Sequence, residues 1–335
     1  MQPDRSLKMG EVVSLSGARI RIDRKGLPPL YPVQSVDLSV GTGDRTALVG
    51  ESGCGKSLTA RLLTGLLPRN AVLEKGSATL LGRFDLRKDF PDEVRGRRVA
   101  MIFQDPVSVL DPMAGIGTQI GRALAAAGVG RPDRGRAAVD LLASLHIPAP
   151  DEVARKYPHQ LSGGMCQRVA IAMALAPKPD LLIADEPTTS LDVTTEVQVL
   201  DLLEEYLDGS GASLILISHD LNVVKRLAGS VTVMYAGQSV EYGQISDILS
   251  DPAHPYSRDL VRSSVLNRGE AAYSIAGTLP SIEEVTPTCP YRARCSEARS
   301  PCSDTVLGQS PSAGGFVRCL FPVKTVHGDG GEESE

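Results

Sequence analysis

Thr46-Ala47-Leu48-Val49-Gly50-Glu51-Ser52-Gly53-Cys54-Gly55-Lys56-Ser57-Leu58 is the stretch that decides the fold. The run Thr46–Val49 is too short for a buried helix and reads as a strand. It enters a glycine-rich turn, and helical spacing follows over Leu58–Leu67. Gly50–Ser57 satisfies the pattern G-x-x-x-x-G-K-[ST], set between a strand and a helix as that pattern requires. Such a turn wraps so that successive backbone N–H groups face phosphate oxygens, and the helix N-terminus adds positive potential. Gly50, Ser52, Gly53, Gly55, Lys56, Ser57 and Leu58 are therefore the candidates for holding a nucleoside triphosphate. Lys56 is placed to reach the outer phosphates, and the Ser57 hydroxyl to take one position on magnesium. Cys54 reads as a small spacer.

Three further runs repeat the design: Val99–Phe103, Leu181–Ala184 and Leu214–Ile217. Strand-length apolar runs alternating with helical spacing, as over Val197–Tyr206, predict an α/β fold with a mostly parallel sheet and helices on both faces. In such sheets ligands bind beyond the carboxyl ends of the strands. Each run delivers a suitable group there: Gln104 after Phe103, Asp185-Glu186 after Ala184, and His219 after Ile217. Adjacent carboxylates divide the labour, Asp185 holding the magnesium shell and Glu186 polarising the attacking water. Magnesium takes one or two protein oxygens besides phosphates and water, so Ser57 and Asp185 suffice, with Gln104 able to sense both the metal and the water.

Composition excludes several classes. The net charge of −5 gives no basic surface for nucleic acid. No stretch reaches the roughly 18–20 apolar residues of a membrane span. The opening residues 1–10 lack the apolar block of a secretion signal, so a cytosolic location is expected. With 335 residues, 42% of them hydrophobic, the chain is long enough for one large core and a smaller one.

Residues 105–176, broken by Pro106, Pro112, Pro132, Pro148 and Pro158, read as a helical subdomain inserted between two strands. Near its end, Leu161-Ser162-Gly163-Gly164-Met165-Cys166-Gln167-Arg168 places Ser162 as an N-cap, with two glycines exposing the first N–H groups of the following helix. That is a second anion site. One nucleotide does not need both from the same chain, which points to a pairing across a subunit interface.

Gly50–Ser57, Gln104, Leu161–Gln167, Leu182–Glu186, Ser190-Leu191-Asp192 and His219, in this order and spacing, resemble the nucleotide-binding subunit of ATP-binding-cassette (ABC) transporters over residues 10 to 250. The resemblance implies a P-loop ATPase core that forms a head-to-tail dimer with two ATP molecules between the subunits. Ser162, Gly163 and Gly164 of one subunit would grip the nucleotide held by the loop of the other. Glu186 would be the general base, His219 the γ-phosphate sensor, and Asp192 a contact in the loop coupling the two sites. Gln104 would lie in the segment facing the transmembrane partner. Met165 and Cys166 depart from the glutamine and the basic residue usual in relatives, without removing a backbone or serine contact. The family stacks adenine on an aromatic, and Tyr31 is the one aromatic ahead of the loop.

Residues 251–335 read as a loop-rich extension with a Gly- and Glu-rich tail from Gly328 to Glu335 that is expected to be disordered. Cys289, Cys295, Cys302 and Cys319 form a four-thiolate set, which in a reducing compartment favours a metal over disulfides. Zinc and a four-iron cluster both accept four thiolates. Cys289-Pro290-Tyr291-Arg292-Ala293-Arg294-Cys295, His254-Pro255-Tyr256 and Gly277–Pro280 resemble the C-terminal extension of the oligopeptide, dipeptide and nickel importer ATPases. That subfamily implies a [4Fe-4S] cluster, with zinc or a metal-free reduced set as alternatives. It also implies two transmembrane permease subunits, a sibling ATPase subunit, an extracytoplasmic substrate-binding protein, and a place on the cytoplasmic face of the membrane. Uptake of nickel or another small solute is an alternative to peptides. A cassette acting on nucleic acid or ribosomes lacks the second cassette, long insertion or basic surface it would need here, and a metabolic kinase lacks an acceptor site.

Overall fold

The structure, a computed structural model, describes residues 10–88, 90–189, 191–264, 273–283, 288–312 and 314–323. Ser190 and the tail from Gly328 to Glu335 lie outside the described residues. In chain order the first elements are β1 (Glu11–Arg24), β2 (Leu27–Gly41), β3 (Arg45–Val49), α1 (Lys56–Leu63), β4 (Ala71–Leu80), β5 (Phe84–Asp85) and β6 (Val99–Ile102). A helical stretch follows with α2 (Pro106–Val109), α3 (Ile116–Ala126), α4 (Arg134–Ser144), α5 (Pro150–Arg155) and α6 (Gly163–Leu175). The sheet then resumes with β7 (Leu181–Asp185), α7 (Val193–Ser210), β8 (Ser213–Ile217), α8 (Leu221–Leu227), β9 (Ser230–Tyr235) and β10 (Gln238–Gln244). Last come α9 (Ile245–Ser250), α10 (Pro255–Ser264), α11 (Pro301–Asp304), β11 (Ser310–Ser312) and β12 (Gly315–Val317).

The four apolar runs read from the sequence are β3, β6, β7 and β8. They lie side by side with β9 in the order β9-β3-β8-β7-β6, and every neighbouring pair is parallel. Their unbroken apolar character has a direct cause: both faces are covered. Leu182, Ala184, Leu214 and Leu216 enter the larger core, whereas Leu181, Ile183, Ile215 and Ile217 enter the smaller one on the opposite face. The larger core is built with α6, α7 and α8; the smaller uses α1 and an antiparallel wing.

That wing was not anticipated. β1 pairs antiparallel with β2 and β4, and the wing joins the parallel strands through β2, whose Ser35 pairs with Gln238 of β10. The parallel block thus forms one end of a mixed sheet, running from β9 to the edge strand β6. The long strands β1 and β2 carry repeated register irregularities that break the period-two alternation, and with it the sequence signal.

Among the described residues the stretch after Ser250 is mostly loop, with a few short elements. It includes the helix α10 and the hairpin β11–β12, whose second strand pairs with Glu241 and Tyr242 of β10. Gly315 makes that pairing possible, since a Cβ there would fall 1.9 Å from the Tyr242 carbonyl oxygen. Arg318 then bonds Val240 O through its backbone N–H and pairs with Asp37 of β2. Cys289, Tyr291, Cys302 and Leu307 belong to the same hydrophobic cluster as the central strands.

Candidate active site

The order of the parallel strands sets the site. Because β3, β8, β7 and β6 are consecutive neighbours, their carboxyl ends bring the loop Gly50–Ser57, His219, Asp185-Glu186 and Gln104 along one edge. The loop is tight. Gly50 adopts φ 147°, where a Cβ would stand 2.1 Å from the Met234 carbonyl oxygen, so no other residue fits. Gly55, at φ 103°, caps α1, and Lys56 begins it. The Lys56 ammonium is buried and donates to the carbonyls of Gly50 at 2.7 Å and Glu51 at 3.0 Å, folded back over its own loop. Cys54 is fully buried beneath, and burial pushes its thiol pKa up, which fits a spacer rather than a reactive group.

Two hydrogen-bonded centres stand beside the loop. In the first, Ser57 Oγ donates to Asp185 Oδ1 at 3.2 Å. Burial raises the Asp185 pKa, opposed by the Ser57 bond and assisted by the neighbouring Glu186 charge. Two hard oxygens, the Ser57 hydroxyl and the buried Asp185 carboxylate, suit magnesium, which requires no larger protein set. In the second centre, Glu186 gathers three partners. Oε2 accepts from Gln104 Nε2 at 2.9 Å and Thr189 Oγ1 at 2.9 Å, and Oε1 lies 3.3 Å from His219 Nδ1. Its backbone is in the left-handed region at φ 48°, pinned by its N–H to Ile217 O at 2.9 Å. A non-glycine residue there costs about 1–3 kcal/mol and persists only where its surroundings enforce it. Thr189 was missed, because nothing in Pro187-Thr188-Thr189 distinguishes it from a turn residue.

The segment read as a second anion site forms a capped helix N-terminus. Ser162 caps α6, its Oγ accepting from the Met165 N–H at 3.3 Å, and Gly163 and Gly164 make the first turn. Asp192 caps α7 by accepting from the N–H and hydroxyl of Thr195 at 3.0 and 2.7 Å, bonds that hold its carboxyl below the usual range. A Cβ on Gly164 would meet the Thr195 methyl at 2.7 Å, so the two helix N-termini abut. Gln167 Nε2 donates to Pro187 O at 2.6 Å, tying α6 to the turn that follows Glu186.

Residues 33–189 match the family model described as "ABC transporter", and residues 240–302 match "Oligopeptide/dipeptide transporter, C-terminal region". The dipeptide transport ATP-binding protein DppD of Bacillus subtilis is 40% identical over 309 residues, covering 90% of this chain and 92% of that protein. The chain belongs to the ABC transporter ATP-binding proteins. The probable D,D-dipeptide transport ATP-binding protein DdpD of Escherichia coli is 40% identical, with 89% of this chain and 93% of that one covered. Among solved structures, the dimeric ATP-binding cassette MJ0796 bound to ADP and phosphate matches with a TM-score of 0.61 over 70% of this chain and 99% of its own, at 24% identity, a likeness of fold.

In this ABC ATPase, Tyr31 lies on β2 next to Pro32, whose carbonyl approaches Gly55 so closely that a Cβ there would stand 2.8 Å from it. The tyrosine hydroxyl donates to Glu74 at 3.4 Å, and the Arg19 guanidinium sits 5.6 Å from its ring centre.

The four cysteines come together in the structure. Cys289, Cys295, Cys302 and Cys319 do line one cavity, with buried His254 on its wall and the His254 Nε2 unpartnered. The cavity measures about 10 Å³, room for one water-sized sphere. Among the described residues no three His, Cys, Asp or Glu side chains are grouped to hold a metal. All four cysteines are free thiols, and burial pushes Cys289, Cys295 and Cys319 up, the last to about 11.

Proposed function

We propose that this ATPase drives uptake of dipeptides or oligopeptides through two membrane permease subunits. It would act on the cytoplasmic face of the membrane with a second, sibling ATPase and an extracytoplasmic substrate-binding protein that delivers the peptide. The observation that carries the ATPase mechanism is the convergence of Gln104, Thr189 and His219 on Glu186, beside the Ser57–Asp185 pair. The peptide substrate rests on the named relatives and the matched C-terminal region. Among the described residues no helix is long and apolar enough to cross a membrane, so attachment goes through the permeases.

In this reading the loop N–H groups and Lys56 bind the triphosphate, and Lys56 exchanges its carbonyl partners for phosphate oxygens. Tyr31 offers a ring for adenine. Ser57 and Asp185, with Gln104, would hold magnesium, which would supply positive charge to the phosphates. Glu186 accepts a proton from the attacking water while Gln104 and Thr189 fix its carboxylate, and His219 faces the γ-phosphate. Ser162, Gly163 and Gly164 of the sibling close over the same phosphates, and Asp192 keeps that segment in register with α7. Closure follows if ATP binds the closed pair more tightly than the open one.

The cysteines enter this proposal only as a structural element. Four thiols lining one cavity are the set that would hold a zinc ion or a [4Fe-4S] cluster, and iron, sulfide and zinc analysis of anaerobically purified protein decides between them. For transport, the complex is reconstituted in vesicles with its permeases and binding protein. Dipeptides or oligopeptides are expected to stimulate ATP hydrolysis and to accumulate inside. Stimulation by nickel alone, or purification with ribosomes or DNA instead of permeases, overturns the peptide reading.

A further inference from the structure

The C-terminal extension reaches the phosphate loop directly. Arg294, one residue before Cys295, lies almost fully buried, and all five of its N–H donors have partners. Nη1 and Nη2 form a fork on the Glu51 carboxylate at 2.8 and 3.0 Å. Nη1 also reaches the Tyr235 hydroxyl at 3.2 Å, while Nη2 and Nε donate to the carbonyls of Ile275 and Ala276 at 3.3 and 2.7 Å. Glu51 is the second residue of the loop, and the extension holds its backbone as well. Its N–H donates to the buried Tyr256 hydroxyl at 2.9 Å. Its carbonyl is one of the two that accept from Lys56. Tyr235, Tyr256 and Tyr291 pack ring against ring with centroids 4.6–5.3 Å apart, and Tyr291 is anchored to Asp259 of α10. This wedge makes the mount of Arg294 and Tyr256 stiff.

We infer that Arg294, with Tyr256, is a positioning residue for nucleotide binding: it holds Glu51 in place and neutralises its carboxylate beside the anion site, so the extension sets the affinity of the loop for ATP. Two physical effects combine. The bidentate fork fixes the carboxylate in one geometry, which a lysine cannot reproduce. It also cancels a negative charge that would repel a triphosphate across a short, partly desolvated distance. The inference rests on nucleotide binding at Gly50–Ser57.

The test is steady-state ATPase kinetics and ATP affinity of the full-length chain in its permease complex. Arg294→Gln is expected to raise the KM and Kd for ATP about tenfold, equivalent to about 1.4 kcal/mol, with kcat changed less than about twofold. Adding Glu51→Gln to Arg294→Gln removes the exposed charge and is expected to restore most of that affinity. A merely structural role for Arg294 predicts no such rescue. Tyr256→Phe keeps the packed ring and removes only the hydroxyl. It supplies the answer if the arginine variant fails to assemble, with an expected rise in KM of about threefold. Unchanged KM in both Arg294→Gln and Tyr256→Phe, or a double variant no better than Arg294→Gln, overturns the inference. Lys56→Ala separates the two questions. Loss of ATP binding there, with Arg294→Gln unaffected, leaves the loop assignment standing and removes only the role of Arg294.

Discussion

Replacing Glu186 with glutamine isolates proton transfer from everything else this residue does. The carboxylate is mostly enclosed, with 16% of the side chain exposed, and its two oxygens serve three neighbours. In Glu186→Gln the amide oxygen at the Oε2 position still accepts from Gln104 and Thr189, and the amide nitrogen donates toward His219 Nδ1 in its acceptor tautomer. The contacts and the strained turn survive, and the proton acceptor is lost. A general base contributes on the order of 10²–10⁴ in rate, so kcat should fall by that factor, about 3–5 kcal/mol on the barrier. ATP affinity comes from the loop and Lys56 and should stay within about threefold. Phosphate release by the assembled complex gives kcat, and a fluorescent nucleotide gives Kd. A kcat reduced less than about tenfold, or a Kd that weakens in step with kcat, would refute the assignment of Glu186 as base.

Other perturbations address the second anion site, the core and the extension. Ser162→Ala removes the α6 cap and should cost about 1 kcal/mol in urea unfolding; it should also weaken ATP-dependent pairing of subunits, measured by light scattering. Leu214→Ala opens a cavity in the fully buried centre of β8, with an expected loss of about 2–5 kcal/mol by denaturant titration. His254 is enclosed, and burial lowers its pKa from 6.5 to about 3. Its contribution is therefore complete above about pH 6.5 and is lost as pH falls toward 3, because the unfolded chain takes the proton first. Between about pH 7.5 and 5 the wild type should lose about 2 kcal/mol more than His254→Asn in parallel unfolding curves. Buried Glu241, whose carboxyl pKa is raised by burial, acts in the opposite sense in both proteins and cancels from that difference.

The parallel strands and their functional edge were legible because burial on both faces leaves an unmistakable mark. Runs such as Leu181–Ala184 and Leu214–Ile217 can only be strands covered on two sides, and parallel order then forces Gln104, Glu186 and His219 together. Ser162 was readable as a cap because its hydroxyl is followed by two glycines and a helical pattern. The wing was not readable, since bulges in β1 and β2 scramble the alternation. Thr189 was missed because its role depends on the turn imposed by Glu186, a backbone angle that residue type does not announce. Arg294 stood in plain view between Cys289 and Cys295, but the thiols drew attention to metal chemistry. The contact that matters joins positions 243 residues apart, and no local pattern encodes it. The cysteine spacing in turn encoded the proximity of four thiols around one cavity.

The hairpin β11–β12 has a consequence for solubility. Its second strand satisfies backbone groups of Glu241 and Tyr242 on a strand whose pairing with β2 runs through Ser35–Gln238, short of those residues. A chain cut before Ser310 would leave that ribbon of N–H and C=O groups bare next to the apolar interior, an invitation to foreign strands. The extension thus acts as a selvedge, finishing the weave so that it does not catch on its neighbours.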